Sequence, residues 1–234
     1  MERLDELARH YDLPPGSAAR LARLLDLVAA EPASITTVRD PERGADVHVA
    51  DSLVALDLAA VRAAGRLADL GAGAGFPGLV LAVALPATEV VLVESVQRKA
   101  AFIRGAAAAL ELANVRVEAA RAEAWPAGLG ACDVVTARAL GPLGVLLEYA
   151  APLLRRGGKL VAWKAAPDAV ELADAAAAAQ LLGMGEPAGH AVTPFPGAGE
   201  RRLYVSSKVM DTPAKYPRRE GMARKRPLRA STSG

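Results

Sequence analysis

Leu67-Ala68-Asp69-Leu70-Gly71-Ala72-Gly73-Ala74-Gly75-Phe76-Pro77-Gly78 is the stretch on which the fold turns. An aliphatic strand candidate runs into a glycine-rich turn, and a helical stretch, 77–85, follows it directly. Glycines let the backbone turn sharply and approach a ligand, and the next helix offers free N–H groups and a positive dipole end. Pro77 suits the first turn of that helix, where no N–H is needed. Sixteen residues after Gly78 a second strand ends in Val90-Val91-Leu92-Val93-Glu94. A carboxylate at that position can accept both ribose hydroxyls of an adenosine. Strand, loop, helix and distal acid together predict a nucleoside-cofactor site.

Outward from the loop the pattern repeats. Strand-like runs fall at 67–70, 89–94, 115–118, 132–137 and 159–164, with helical stretches at 77–85, 96–111, 141–154 and 168–182 between them. Such alternation predicts βαβ units and a parallel sheet covered on both faces. The last strand candidates, 188–193 and 202–209, are joined only by Pro194 to Glu200, too short for a crossover helix, so they should pair antiparallel. Upstream, 3–11 and 17–30 read as amphipathic helices, the second with Ser17 as N-cap, and 46–62 as a third with Val49, Leu53, Leu56 and Val61 on one face. The expected organisation is an N-terminal helical cap (1–62), an α/β domain (63–209) and a basic C-terminal tail (210–234).

Composition narrows the function. Of 234 residues, 53 are alanine and only nine are Phe, Trp or Tyr, so the core is small and aliphatic. The single cysteine, Cys132, excludes an intramolecular disulfide and a cysteine zinc cage. Three scattered histidines argue against a metal centre. The charged N-terminus lacks the apolar core of a signal peptide, and the longest apolar run, Leu79 to Pro86, is far short of the roughly 20 residues that span a bilayer. A soluble, cytoplasmic chain without a membrane partner is expected. The overall charge of +2 hides an asymmetry, because residues 201–234 carry ten basic residues against Asp211 and Glu220, or +8. The preceding 200 residues carry −6. An acidic body with a basic end suggests a polyanion partner.

The loop admits two framings. Gly73-Ala74-Gly75-Phe76-Pro77-Gly78 matches the G-x-G-x-x-G of dinucleotide enzymes, which leaves an NAD(P)-dependent oxidoreductase open. Asp69-Leu70-Gly71-Ala72-Gly73-Ala74-Gly75 instead resembles motif I of class I S-adenosylmethionine-dependent methyltransferases. An acid there suits a sulfonium and an ammonium better than a pyrophosphate. Further stretches make the resemblance specific: His48-Val49-Ala50-Asp51-Ser52-Leu53, Val93-Glu94-Ser95, Arg121-Ala122-Glu123, Asp133 through Ala139, Val161-Ala162-Trp163-Lys164, and Thr212 through Arg219. Over roughly residues 45–228 the chain resembles the RsmG/GidB family of small-subunit rRNA guanine-N7 methyltransferases.

That resemblance implies a Rossmann-like class I methyltransferase fold, a mostly parallel sheet with an antiparallel terminal strand behind a helical cap. It implies S-adenosylmethionine as cofactor, 16S rRNA within the small ribosomal subunit as partner, and N7 of the guanine at rRNA position 527, in the 530 loop, as target. Asp69, Gly71, Gly73, Gly75, Phe76, Glu94, Ala122, Glu123 and Arg138 would hold the cofactor. Arg138 and Lys164, which end the fourth and fifth strands at the edge where open α/β sheets bind ligands, are the catalytic candidates. His48, Asp51 and Ser52 share one helical turn and could face the RNA or form a helix-capping cluster. In the tail, Lys215, Arg218 and Arg219 would neutralise phosphates and Tyr216 would stack on an unpaired base. No metal is expected. A non-catalytic RNA-binding protein with a vestigial loop stays open as an alternative.

Overall fold

In the computed structural model, which describes residues 1–32 and 35–230, seven strands form one sheet. They are β1 (Arg66–Leu70), β2 (Glu89–Val93), β3 (Val115–Glu118), β4 (Cys132–Arg138), β5 (Leu154–Lys164), β6 (Ala188–Val192) and β7 (Arg201–Ser207). The order is β3-β2-β1-β4-β5-β7-β6. Pairings among β1 to β5 are parallel, while β7 is antiparallel to both β5 and β6. The short Pro/Gly connection dictates the antiparallel β6–β7 pairing, but the inverted strand sits inside the sheet and β6 takes the edge.

Alternation along each strand sorts the core into two layers. Leu67, Val90, Leu92, Val134, Val161 and Trp163 face one side, packing with α1 (Glu2–His10) and α2 (Ser17–Ala30). Ala68, Leu70, Val91, Val135, Ala137 and Leu160 face the other. Gly16, with φ +81°, caps α2 in place of the expected Ser17, whose hydroxyl is buried without a hydrogen bond among the described residues.

The predicted helix over 46–62 is broken. Residues 41–62 instead form α3 (Pro41–Gly44), a π-helical turn (Ala45–Ala50), α4 (Asp51–Leu53), a 3-10 turn (Val54–Asp57) and α5 (Ala59–Arg62). Val49, Leu53, Leu56 and Val61 are all buried as expected. Changing the turn size re-aims the polar residues between them, and Ser52 Oγ donates back to the His48 carbonyl, a bond that bends helices. The remaining helices are α6 (Gly78–Ala84), α7 (Gln97–Ala109), α8 (Leu143–Ala150), α9 (Ala169–Leu182) and α10 (Met222–Lys225). Asp168 caps α9 by accepting from Glu171 N at 2.8 Å, and Gly183 ends it at φ +72°.

The segment read as a basic C-terminal tail folds back onto the second layer. Tyr216 and Ala223 belong to that core, and Arg218 makes a two-pronged ion pair at 2.5 Å with Glu148 of α8.

Candidate active site

The glycine loop lies at the carboxyl end of β1. Gly71 N donates to Val93 O at 2.8 Å, stitching the turn to β2. Gly71 has φ +66°, and a Cβ there would lie 2.5 Å from Leu140 Cδ1, so a side chain is excluded by backbone strain and by the β4–α8 loop. Gly78 serves packing: its Cβ would meet Leu92 Cδ2 at 2.7 Å and Asp69 Oδ2 at 2.8 Å. A Cβ on Gly73, by contrast, would find only Gly71 O, at 3.8 Å, so the loop is open on that side to a ligand. Gly75 completes the turn, with φ +92°.

Two carboxylates set this loop. Asp69 is 1% exposed, with Oδ2 accepting from Gly78 N at 2.9 Å and Oδ1 from Thr136 Oγ1 at 2.8 Å. Its carboxylate therefore ties loop, helix and β4 together instead of facing a sulfonium. Asp69 does not meet a cofactor cation as the sequence suggested, because it has almost no surface to offer. Burial pushes its carboxyl from 3.8 up to about 7, against the Thr136 and Gly78 hydrogen bonds. Between those limits the folded state keeps a proton that the unfolded state has lost, so this group's contribution makes stability fall as pH rises through the window. Asp69→Asn should remove that slope. Urea midpoints at pH 5 and 8 should show the wild type losing about 2 kcal/mol more than the variant. Equal losses would place the titration elsewhere.

Glu94 is 5% exposed at the end of β2. Oε2 accepts from Gly73 N at 2.9 Å and Oε1 from Val96 N at 2.8 Å. Each carboxylate oxygen has a second lone pair, so Glu94 can hold the loop and still accept ribose hydroxyls. An open loop face beside a partly free carboxylate fits an adenosyl group.

A second feature adjoins the loop at the ends of β4 and β5. A cleft of about 450 Å³ is lined by His48, Asp51, Arg138, Trp163, Lys164 and Arg201, among others. Arg138 Nη1 donates to Asp51 Oδ2 at 2.8 Å, and Trp163 Nε1 to the Asp51 carbonyl at 2.7 Å. His48 stacks on Phe76 with centroids 4.4 Å apart, and the Arg138 guanidinium sits 5.7 Å from the same ring. Phe76 thus joins loop and cleft. His48 is buried, and burial lowers its pKa, with the Val38 carbonyl opposing and Arg138 adding to the shift. Its Nε2 lies 2.9 Å from Val38 O, which puts the proton of the neutral ring there.

Several expected roles change. Ser52 is fully buried and bonded to its own helix, so it has no face for RNA. Lys164 Nζ pairs with Glu171 Oε1 at 2.6 Å, so its charge is already matched at the cleft wall. Tyr216 is buried, so its ring cannot stack on a base, and Arg218 is spent on Glu148. Lys215 and Arg219 remain exposed. Ala122 packs against the second core layer, and Glu123 Oε1 accepts from Gly221 N at 2.9 Å, so the C-terminal segment rests on the loop after β3.

Sequence reasoning passed over Thr136, Arg201, Glu148 and Glu171. Glu148 carried a signal, as the lone acid within the apolar run Leu143 to Ala150. Among the described residues there is no group of three or more potential metal ligands, and no helix is long and apolar enough to cross a membrane.

Comparison with known proteins adds the family. Residues 18–193 match the model of the GidB family, described as rRNA small subunit methyltransferase G. Relatives named ribosomal RNA small subunit methyltransferase G occur in Rubrobacter xylanophilus, 42% identical over 84% of this chain and 78% of that protein, and in an Exiguobacterium species, 36% identical over 94% and 95%. Among solved structures, a SAM-dependent O-methyltransferase from Thermotoga maritima aligns with TM-score 0.50 at 17% identity, covering 80% of this chain and 71% of that one. That likeness speaks for the fold alone, a Rossmann-like class I methyltransferase sheet.

Proposed function

Because the chain belongs to the rRNA small subunit methyltransferase G family, we propose that it methylates N7 of one guanine of 16S rRNA, at position 527 in the 530 loop. The substrate is rRNA within the small ribosomal subunit, and the setting is the cytoplasm. The observation that carries this reading is the junction at Phe76, which places the adenosyl-type loop and a polar cleft side by side at the carboxyl ends of the strands. Family membership sets aside the nicotinamide framing of the same glycines.

When bound, S-adenosylmethionine supplies a methyl group that guanine N7, bearing a lone pair and no proton, can take without a general base. Gly71, Gly73 and Gly75 let the backbone approach the cofactor, Glu94 receives its ribose, and Asp69 holds the loop's shape. Ala122 and Glu123 border the adenine side. Arg138, fixed by Asp51, presents a cation at the cleft, where it grips O6 or phosphate and leaves N7 unprotonated and bare. Catalysis on this account is alignment and electrostatics. Tritiated methyl transfer from S-adenosylmethionine to purified small subunits tests it, since neither an oxidoreductase nor a non-catalytic RNA binder would incorporate label.

RNA contact outside the cleft falls to exposed cations of the folded-back segment. Replacing Arg219, Lys225 and Arg229 together by Gln should leave the melting temperature unchanged, because exposed cations contribute little to stability. RNA affinity should drop, and its salt dependence flatten by about 0.7–0.9 log units per phosphate contact removed. An unchanged salt slope would move the RNA to another face.

A further inference from the structure

Two residues that line the cleft beside Phe76 each carry a buried acceptor without a hydrogen bond among the described residues. Asp51 is 8% exposed, and its Oδ2 accepts from Arg138. Its Oδ1 takes no hydrogen bond from the described residues and has only a long ion pair, to Arg201 Nε at 3.7 Å. His48, one helical turn earlier and 7% exposed, has its Nδ1 equally bare. Buried acceptors left without hydrogen bonds are costly, so two of them on residues that line one cavity point to a ligand with donors, which reaches Oδ1 once the partly exposed Arg201 side chain moves aside.

The proposed reaction says which ligand edge that is. N7 must reach the methyl group without a donor attached, so beside it only O6 is left for Arg138 to read, and the donors that mark guanine lie on the opposite edge of the base. Guanine carries N1–H and the N2 amino group there, both donors. Adenine has a bare acceptor at N1 and no amino group at C2. Among the described residues lining the cleft, Asp51 is the one acid. We propose that Asp51 selects guanine, its Oδ1 accepting from the N2 amino group, with His48 Nδ1 as the second acceptor for that edge. The inference rests on the guanine-N7 reading above.

Asp51→Asn turns the interaction around. Arg138 needs an oxygen acceptor, so it holds the amide oxygen and leaves the amide NH₂ in the Oδ1 position, donor against donor. The test uses small subunits reconstituted with 16S rRNA that carries either guanosine or inosine at the methylated position, inosine lacking only the N2 amino group. Wild type should methylate guanosine over inosine by roughly tenfold or more in kcat/KM, the usual discrimination for one hydrogen bond to a charged acceptor. Asp51→Asn should lose activity on guanosine and bring the ratio to within about twofold of one. Its S-adenosylhomocysteine affinity by calorimetry should stay within about twofold of wild type. A merely structural Asp51 would depress both substrates equally and preserve the ratio, which overturns the proposal. Equal rates of wild type on guanosine and inosine overturn it without any variant. Absence of methyl transfer by wild type to the guanosine subunit would instead remove the functional reading beneath it.

Discussion

Arg218→Ala should lower the melting temperature by roughly 10 °C, the equivalent of about 3 kcal/mol for a chain of this size. Glu148 is 2% exposed in the middle of α8, and Arg218 meets both its oxygens at 2.5 Å. Removing the guanidinium strands a carboxylate in the core. Arg218 itself keeps 23% of its side chain exposed, so water can enter the gap, which holds the loss to the lower part of the range for buried pairs. Arg218 Nη2 also donates to the Arg226 carbonyl at 2.8 Å, so the variant loosens the whole C-terminal segment. A double variant, Arg218→Met with Glu148→Met, should recover most of the loss, because an apolar pair of similar volume leaves no charge unmatched. A melting temperature within 2 °C of wild type for the single variant would return the segment to the status of a free tail.

Glu94→Ala should weaken S-adenosylhomocysteine binding by roughly 100-fold or more, about 3 kcal/mol. Two losses combine in it. Gly73 N and Val96 N each lose a charged acceptor, so the loop no longer has its anchor at β2. The ribose hydroxyls lose their partner as well. Glu94→Gln should fall between, since the amide oxygen can keep one backbone bond while its nitrogen faces the other N–H. Calorimetry with S-adenosylhomocysteine measures both variants. An affinity for Glu94→Ala within threefold of wild type would remove Glu94 from the site.

Much of the sheet was legible from residues 66–207 because turn glycines, strand alternation and helix lengths agree locally. The limits appear where tertiary partners decide. Ser17 has the chemistry of an N-cap, yet the chain places Gly16 there and buries the hydroxyl. The stretch 46–62 has helical periodicity, but its Asp51 serves the sheet through Arg138 and Trp163, and no local rule announces a π-helical turn. The site was legible as a set of positions more than as a set of roles. Asp69, Glu94 and Arg138 all lie at the strand ends that the pattern implies. That Asp69 is buried against Thr136 follows only from the pairing of β1 with β4, which sets the two residues side by side. The basic C-terminal segment misled for a related reason. Charge counting treats every cation alike, whereas Arg218 belongs to Glu148 and Arg219 to solvent.

The central claim, methylation of one rRNA guanine at N7, is tested most directly by finding the methyl group. Small subunits lacking the modification are incubated with the protein and S-adenosylmethionine. Their 16S rRNA is then treated with borohydride and aniline, which cut the strand at N7-methylguanine, and the break is mapped by primer extension. A single new stop at position 527, absent when the cofactor is omitted, is the predicted result. Label incorporated without strand scission, or scission at another guanine, would contradict it.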